Sequence, residues 1–401
     1  MKKIVKSILL SRYFTLSKYF SLGVSNVVGF YKNKANKDTI NFIVTSKTEI
    51  RVFSPILNYI LTSGLDIIIN VFFTNQNLKL DDQLFFKLEK DDRFKLNNNP
   101  IKLTDNRKNS INVICLDHEK YSKKHFIGIE LVKYFNKLKI KTVCIQHGGN
   151  QNDYIEGQLS SVSKFQIVFG KRIFNFIKEK LKNTKKVYIT GNPLHDNLFF
   201  NKSQVNKTNK KRLIALISCM HTEYDDYENS QKLYLEYVKK IYESVNFNDA
   251  KLIVKMHPYD STDNNIYELV RNNLNLTKNE VEIIGFTGNL QQTYDLILKS
   301  DLIISRASTI IEESLMLNRQ VIAFDLFEKG VSRHYDFLSK YSEYSKIINS
   351  SSELKKEIVR KLALTNNNKY INEKIVSDLT YRFDGKSSSR LVEALIDILK
   401  C

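Results

Sequence analysis

Tryptophan is absent from this chain of 401 residues, and proline occurs only 4 times. Lysine, asparagine and isoleucine are abundant in their place, a bias that an AT-rich genome produces without help from function. Cysteine is scarce too. Cys115, Cys144, Cys219 and Cys401 form no CxxC pair, and Cys115 and Cys144 sit inside apolar, strand-like runs. Buried free thiols in a reducing cytoplasm are the simplest account. No run is long and apolar enough to span a bilayer, since the most apolar stretch, Leu65 to Phe73, is short and carries Asp66 and Asn70. Zinc-finger spacing and aromatic, arginine-rich RNA motifs are missing, which sets nucleic acid aside as a partner. There is no internal repeat of roughly 20 to 50 residues. There is also no Asp-x-Asp motif, so the sequence requires no divalent metal and implies no bound cofactor.

What is present is a globular composition, 42% hydrophobic and 26% charged, long enough for two α/β domains with full cores. Lys and Arg number 62 against 43 Asp and Glu, a net charge of +19. Such an excess favours anionic partners, among them phosphorylated substrates and acidic lipid. The first 30 residues open MKKIVKSILLSRYFTLSKYFSL. Lys6 and Arg12 interrupt the apolar core that a signal peptide needs, and no small-residue cleavage site follows. The segment reads as a basic amphipathic helix with Leu9, Leu16 and Phe20 on its apolar side, either meeting an acidic membrane or packing on the first domain.

Further on, short β-branched runs alternate with helical stretches. Strands are expected at 40–45, 66–73, 111–116, 141–146, 166–169 and 186–190, with helices near 52–61 and 125–138 between them. Residues 75–110 are polar and irregular and give no clear element. The segment 201–212, NKSQVNKTNKKR, carries almost no apolar side chain and reads as a linker. After it the alternation restarts, with strands expected at 213–218, 252–255, 281–284, 302–305 and 321–324. The pattern predicts two Rossmann-like halves with parallel sheets, at 40–200 and 213–375, and an amphipathic helix at 386–401.

Ligands of open parallel sheets bind beyond the carboxyl ends of the strands. Four segments stand there. His147 follows the strand KTVCI and precedes Gly148 and Gly149, which suits either a general base with a near-neutral pKa or a histidine bonded within its loop. Gly191 and Asn192 lie in Thr190-Gly191-Asn192-Pro193, turn chemistry that also edges a site. Lys255 and His257 stand together at a strand end, placed to hold phosphate oxygens or simply solvated. Most informative is SDLIISRASTIIEESLMLNRQVIAF, 300–324. Here Arg306, Ser308 and Thr309 open a helix whose N-terminus suits a phosphate, with Glu313 about a turn further on to take ribose hydroxyls. The alternative is that Ser308 or Thr309 only caps the helix and Glu313 is solvated.

Taken in order, QHG, TGNP, KMHP and SDLIISRASTIIEESL resemble bacterial GT-B enzymes of surface-polymer synthesis, the CDP-glycerol glycerophosphotransferases and capsule glycosyltransferases. The resemblance implies a GT-B fold, two Rossmann-like domains facing a cleft. It implies His147 as catalytic base, Ser308, Thr309 and His257 at the donor phosphates, and Glu313 at the ribose. The C-terminal pattern is also similar to the UDP-N-acetylglucosamine 2-epimerases, whose two adjacent acids match Glu312 and Glu313. Those enzymes carry a carboxylate where this chain has His147, while Asp117, after INVICL, matches another epimerase acid. Retaining GT-B enzymes place a second glutamate where Ser305 stands here, so an inverting mechanism fits.

The resulting expectation is a transferase, first an inverting glycosyltransferase and next a CDP-polyol-phosphate transferase, with a sugar-nucleotide epimerase as the third class. Its partners are a nucleotide-activated donor and a glycan or lipid-linked acceptor, and its place is cytoplasmic, on the inner membrane face if the N-terminal helix meets lipid.

Overall fold

The computed structural model describes residues 30–31, 37–74, 77–97, 103–104, 109–182, 185–201, 211–219, 230–257, 260, 265–285, 290–306, 308–326, 335–364 and 373–401. The amphipathic segment 1–29 and the linker residues 202–210 lie outside them. The described residues divide into two compact units, one drawn from 1–147, 156–196 and 386–401, the other from 148–155 and 197–385.

The first unit is built on seven parallel strands: β1 (Thr39–Val44), β2 (Ile68–Phe73), β3 (Phe94–Asn97), β4 (Ser110–Ile114), β5 (Lys141–Ile145), β6 (Phe165–Val168) and β7 (Lys186–Ile189). Their order is β3-β2-β1-β4-β5-β6-β7. Every residue of β1 and β4 is buried, as a parallel sheet covered on both faces demands. A row of asparagines crosses the sheet in register. Asn70 Nδ2 donates to Asn41 Oδ1 at 2.7 Å, and Asn41 Nδ2 donates to Asn112 Oδ1 at 2.9 Å. Asn70 and Asn41 thus each donate to the next strand, which offsets part of their desolvation, while Asn112 Nδ2 has no hydrogen-bond partner among the described residues. The helix α1 (Lys47–Thr62) buries Val52, Phe53, Ile56, Leu57 and Ile60 against the sheet, and α2 (Ser122–Lys137) buries Ile129, Leu131, Val132 and Phe135.

The second unit repeats the plan with β8 (Arg212–Ile217), the helix α3 (Ser230–Ser244), β9 (Ala250–Lys255), β10 (Val281–Ile284), β11 (Leu302–Ser305), β12 (Gln320–Phe324) and β13 (Ser345–Ile348). All pairings are parallel, in the order β10-β9-β8-β11-β12-β13. Both sheets therefore reverse direction at one point, between β1 and β4 and between β8 and β11. Such a reversal opens a crevice at the strand carboxyl ends, because the flanking connections run to opposite sides.

Eleven of these strands fall at the expected runs, to within a residue or two. Two were not foreseen. β3 lies inside the unplaced stretch 75–110, and β13 follows the last expected strand. Both are edge strands pairing on one side only, so they need less apolar sequence and carry Lys95 and Lys346. The C-terminal helix Ser387–Lys400 packs back on the first unit, where Leu391, Val392, Leu395 and Ile398 join its core. No described helix is long and apolar enough to cross a membrane.

Candidate functional site

In the first unit the crevice at the sheet reversal is occupied by a carboxylate. Glu49, fully buried, accepts from the Cys115 amide at 2.9 Å, from the Thr45 amide and hydroxyl at 2.5 and 2.7 Å, and from the Ser46 amide at 3.2 Å. Burial raises its pKa, and these hydrogen bonds oppose the rise. Glu49 thereby fixes the ends of β1 and β4 together. The Cys115 carbonyl then receives Nδ1 of His147 at 3.1 Å. A carbonyl only accepts, so this contact places the His147 proton on Nδ1 and leaves Nε2 as the basic nitrogen.

His147 stands among imidazoles. Its ring centroid is 5.7 Å from that of His118 and 5.7 Å from that of His125, and those two are 5.2 Å apart. Nδ1 of His118 and Nδ1 of His125 lie 3.3 Å from each other. Burial first, and then the two neighbouring imidazoles, hold the His147 pKa well below its ordinary 6.5. Burial first, and then the His118 imidazole, lower His125 to about 4, and burial lowers His118. The near-neutral titration expected of His147 is therefore displaced toward acid. At cellular pH this imidazole is neutral and able to accept a proton.

Asp117 is bonded through one oxygen, while its Oδ1 has no hydrogen-bond partner among the described residues. It is fully buried, and its Oδ2 accepts from Ser161 Oγ at 3.0 Å, the Ser163 amide at 2.9 Å and Ser163 Oγ at 2.6 Å. Its work in this geometry is to anchor the turn before β6. Asp117, His118 and Cys144 bring possible metal-ligating atoms within 4.8 Å of one another. Each is engaged inside the protein, Asp117 with the two serines, His118 with His125, and the Cys144 thiol with the Cys115 carbonyl at 3.7 Å. Burial drives both cysteine thiols well above their usual pKa.

Gly191 and Asn192 form a tight turn after β7. Gly191 has φ +90°, a conformation that glycine adopts without strain. Asn192 Oδ1 accepts from the Leu194 amide at 3.1 Å. The turn delivers Asp196, whose carboxylate accepts from the Ser387 and Ser388 amides at 2.8 and 2.7 Å and so caps the C-terminal helix. Arg390 of that helix returns a bond to the Thr190 carbonyl at 2.7 Å. The visible role of the TGNP turn is thus to seat the C-terminal helix.

In the second unit the sheet reversal falls between β8 and β11, where Ser305 Oγ donates to the Ile217 carbonyl at 2.9 Å. The helix α4 (Thr309–Met316) starts just beyond. Ser308 is its N-cap, accepting from the Ile310 amide at 3.3 Å, and Ser308 and Thr309 remain partly accessible. Arg306 is buried in an ion pair with Asp325, Nε to Oδ2 at 2.9 Å. Glu312 and Glu313 are 5% and 2% exposed, so neither is a solvated helix residue. His257 is partly exposed at the end of β9, its amide donating to Asp260 Oδ2 at 2.7 Å, and Tyr267 holds the other side of that carboxylate oxygen at 3.1 Å. Lys255, the last residue of β9, is buried and donates to the Gly285 carbonyl at 2.5 Å, and burial lowers its pKa.

The loop after His147 belongs to this second unit. Its glycines are explained by what surrounds them. A Cβ on Gly148 would lie 2.9 Å from the Tyr154 ring, and one on Gly149 would lie 2.3 Å from Glu312 Oε1 and 3.0 Å from Thr309 Cγ2. Gly149 therefore borders the start of α4. The sequence singled out these glycines but not the reason for them, because the contact joins residues far apart in the chain.

A model of one protein family, UDP-N-acetylglucosamine 2-epimerase, matches residues 142–395. The teichoic acid ribitol-phosphate polymerase TarL of Staphylococcus aureus is 29% identical over 155 residues, which are 37% of this chain and 24% of that polymerase. This chain thus spans about a quarter of the curated relative it matches. The crystal structure of a putative UDP-N-acetylglucosamine 2-epimerase from Listeria monocytogenes superposes with TM-score 0.61 at 14% identity, covering 91% of this chain and 97% of that one. The wall teichoic acid polymerase TagF superposes with TM-score 0.52 at 13% identity, covering 91% and 90%. These likenesses establish a common fold of the GT-B type, two Rossmann-like parallel α/β domains. With the family model covering well over half of its residues, the chain belongs to the UDP-N-acetylglucosamine 2-epimerase family.

Proposed function

We propose that this protein transfers a sugar from a nucleotide-activated donor to a hydroxyl of a cell-surface polymer or its lipid-linked precursor, with inversion and with His147 as general base. The observation that carries the reading is the state of His147. It follows β5 at the carboxyl end of the sheet, its proton is fixed on Nδ1 by the Cys115 carbonyl, and its surroundings keep it neutral. Such a group removes a proton from an acceptor hydroxyl as that hydroxyl attacks the activated carbon. The donor phosphates are assigned to the start of α4, over Ser308 and Thr309, with His257 beside them, where helix N–H groups stabilise the charge of the leaving nucleotide. Glu313 is assigned to the ribose. The similarity to a ribitol-phosphate polymerase supports a CDP-polyol donor as the variant of the same chemistry, with attack at phosphorus.

The family match favours one different reading, epimerisation of a nucleotide sugar at C2. A single experiment separates the two. CMP-, CDP-, UDP- and GDP-linked donors are screened by thermal shift, and the stabilising donor is then incubated in D2O with and without a lipid-linked or glycan acceptor. Nucleotide release that requires acceptor, with no deuterium entering the donor sugar, is expected. Deuterium at C2 without acceptor would replace transfer by epimerisation.

A further inference from the structure

Glu312 is the acid that neither the donor phosphates nor the ribose requires, and it points to the loop that leaves His147. Its Oε1 accepts from the Asn150 backbone amide at 2.6 Å, and its Oε2 accepts from Asn150 Nδ2 at 2.7 Å. Both residues are buried. One carboxylate thus holds one asparagine by main chain and side chain together, a two-point grip stronger than either neutral hydrogen bond alone. A glutamine here would offer one acceptor and present its own N–H groups to the other donor. Gly149 lies against the same carboxylate, so a Cβ there would stand 2.3 Å from Glu312 Oε1 and push it away. Gln151 and Asn152 continue the attachment, Nε2 to the Tyr335 hydroxyl and Nδ2 to Asp336 Oδ1, each at 2.7 Å.

We infer that Glu312 is a positioning residue for His147. The chain passes from the first unit to the second at the peptide bond between His147 and Gly148. Asn150 is bonded to the first turn of α4 and Gly149 packs against it, so the chain that leaves His147 is held there within three residues. Glu312 thereby acts on the base through the covalent chain, by holding the segment that leaves it. This inference rests on the reading of His147 as base.

The test uses Glu312→Gln, Glu312→Ala and, independently of that side chain, Gly149→Ala, in the full chain. Amide hydrogen exchange of residues 148–155 is read first, without any substrate. Faster exchange confined to that segment is expected in Glu312→Ala and Gly149→Ala, and unchanged exchange would overturn the clamp whatever the enzyme's reaction. Turnover is read second. All three variants should lose on the order of 10- to 100-fold in kcat with donor KM within about twofold, the signature of a misplaced reacting group. Pairing Glu312→Gln with Asn150→Asp restores one donor facing one acceptor and should recover part of the loss. A raised donor KM with kcat intact would assign Glu312 to donor binding, and a loosened loop with wild-type kcat would overturn the positioning role. A wild-type protein that turns over donor without any contribution from His147 would instead overturn the base reading.

Discussion

Three imidazoles kept neutral within 5.2 to 5.7 Å of each other have a consequence for stability. In the unfolded chain each histidine protonates near 6.5, whereas in the fold each has a lower pKa, about 4 for His125. Below pH 6.5 the unfolded chain therefore binds more protons than the folded one, and stability falls as pH falls. The contribution of His125 is complete above pH 6.5 and is lost progressively down to about pH 4. Melting temperature measured from pH 7.5 to 4.5 should drop through that window, and His125→Phe should flatten part of the drop. An unchanged slope in the variant would show that His125 is not titrating as described. At this scale the sequence disclosed the candidates and not their states. His147 was legible because it ends an apolar strand before two glycines. The neighbours that lower its pKa, His118 and His125, carry no motif and meet it only through folding.

Elements were more legible than their partners. The β-branched runs of the central strands announce themselves, since a parallel sheet covered on both faces needs continuous apolar sequence. The edge strands Phe94–Asn97 and Ser345–Ile348 do not, because one solvent-facing side relaxes that need. The C-terminal helix was visible as an amphipathic segment, but its return to the first unit was not. That return rests on Asp196, whose two oxygens accept the Ser387 and Ser388 amides. Removing such a cap costs about 0.5–2 kcal/mol. Asp196→Ala should therefore lower stability in urea by about that amount while leaving the donor binding proposed for the second unit in place. No loss of stability would mean that the helix is held by its apolar face alone, through Leu391, Leu395 and Ile398.

For the molecule as a whole, the two units share one strand order, to which the first adds a seventh strand at its edge. Each sheet has one reversal, and the residues proposed for the chemistry lie there, His147 after β5 in the first unit and the start of α4 in the second. The excess of basic residues suits a phosphorylated donor. Family membership points to sugar-nucleotide chemistry, and the proposed transfer differs from the epimerase reaction in its step. His147 decides between them. The most direct measurement is single-turnover transfer by His147→Ala, compared with the wild type at saturating donor across pH 5 to 8. Wild-type turnover should stay level above pH 6.5 and fall only toward acid, where the depressed pKa of His147 lies. The variant, shown to be folded and to bind donor normally, should be slower by about 10²–10⁴-fold and lack that acidic limb. Turnover near the wild-type rate in the folded variant would contradict the account.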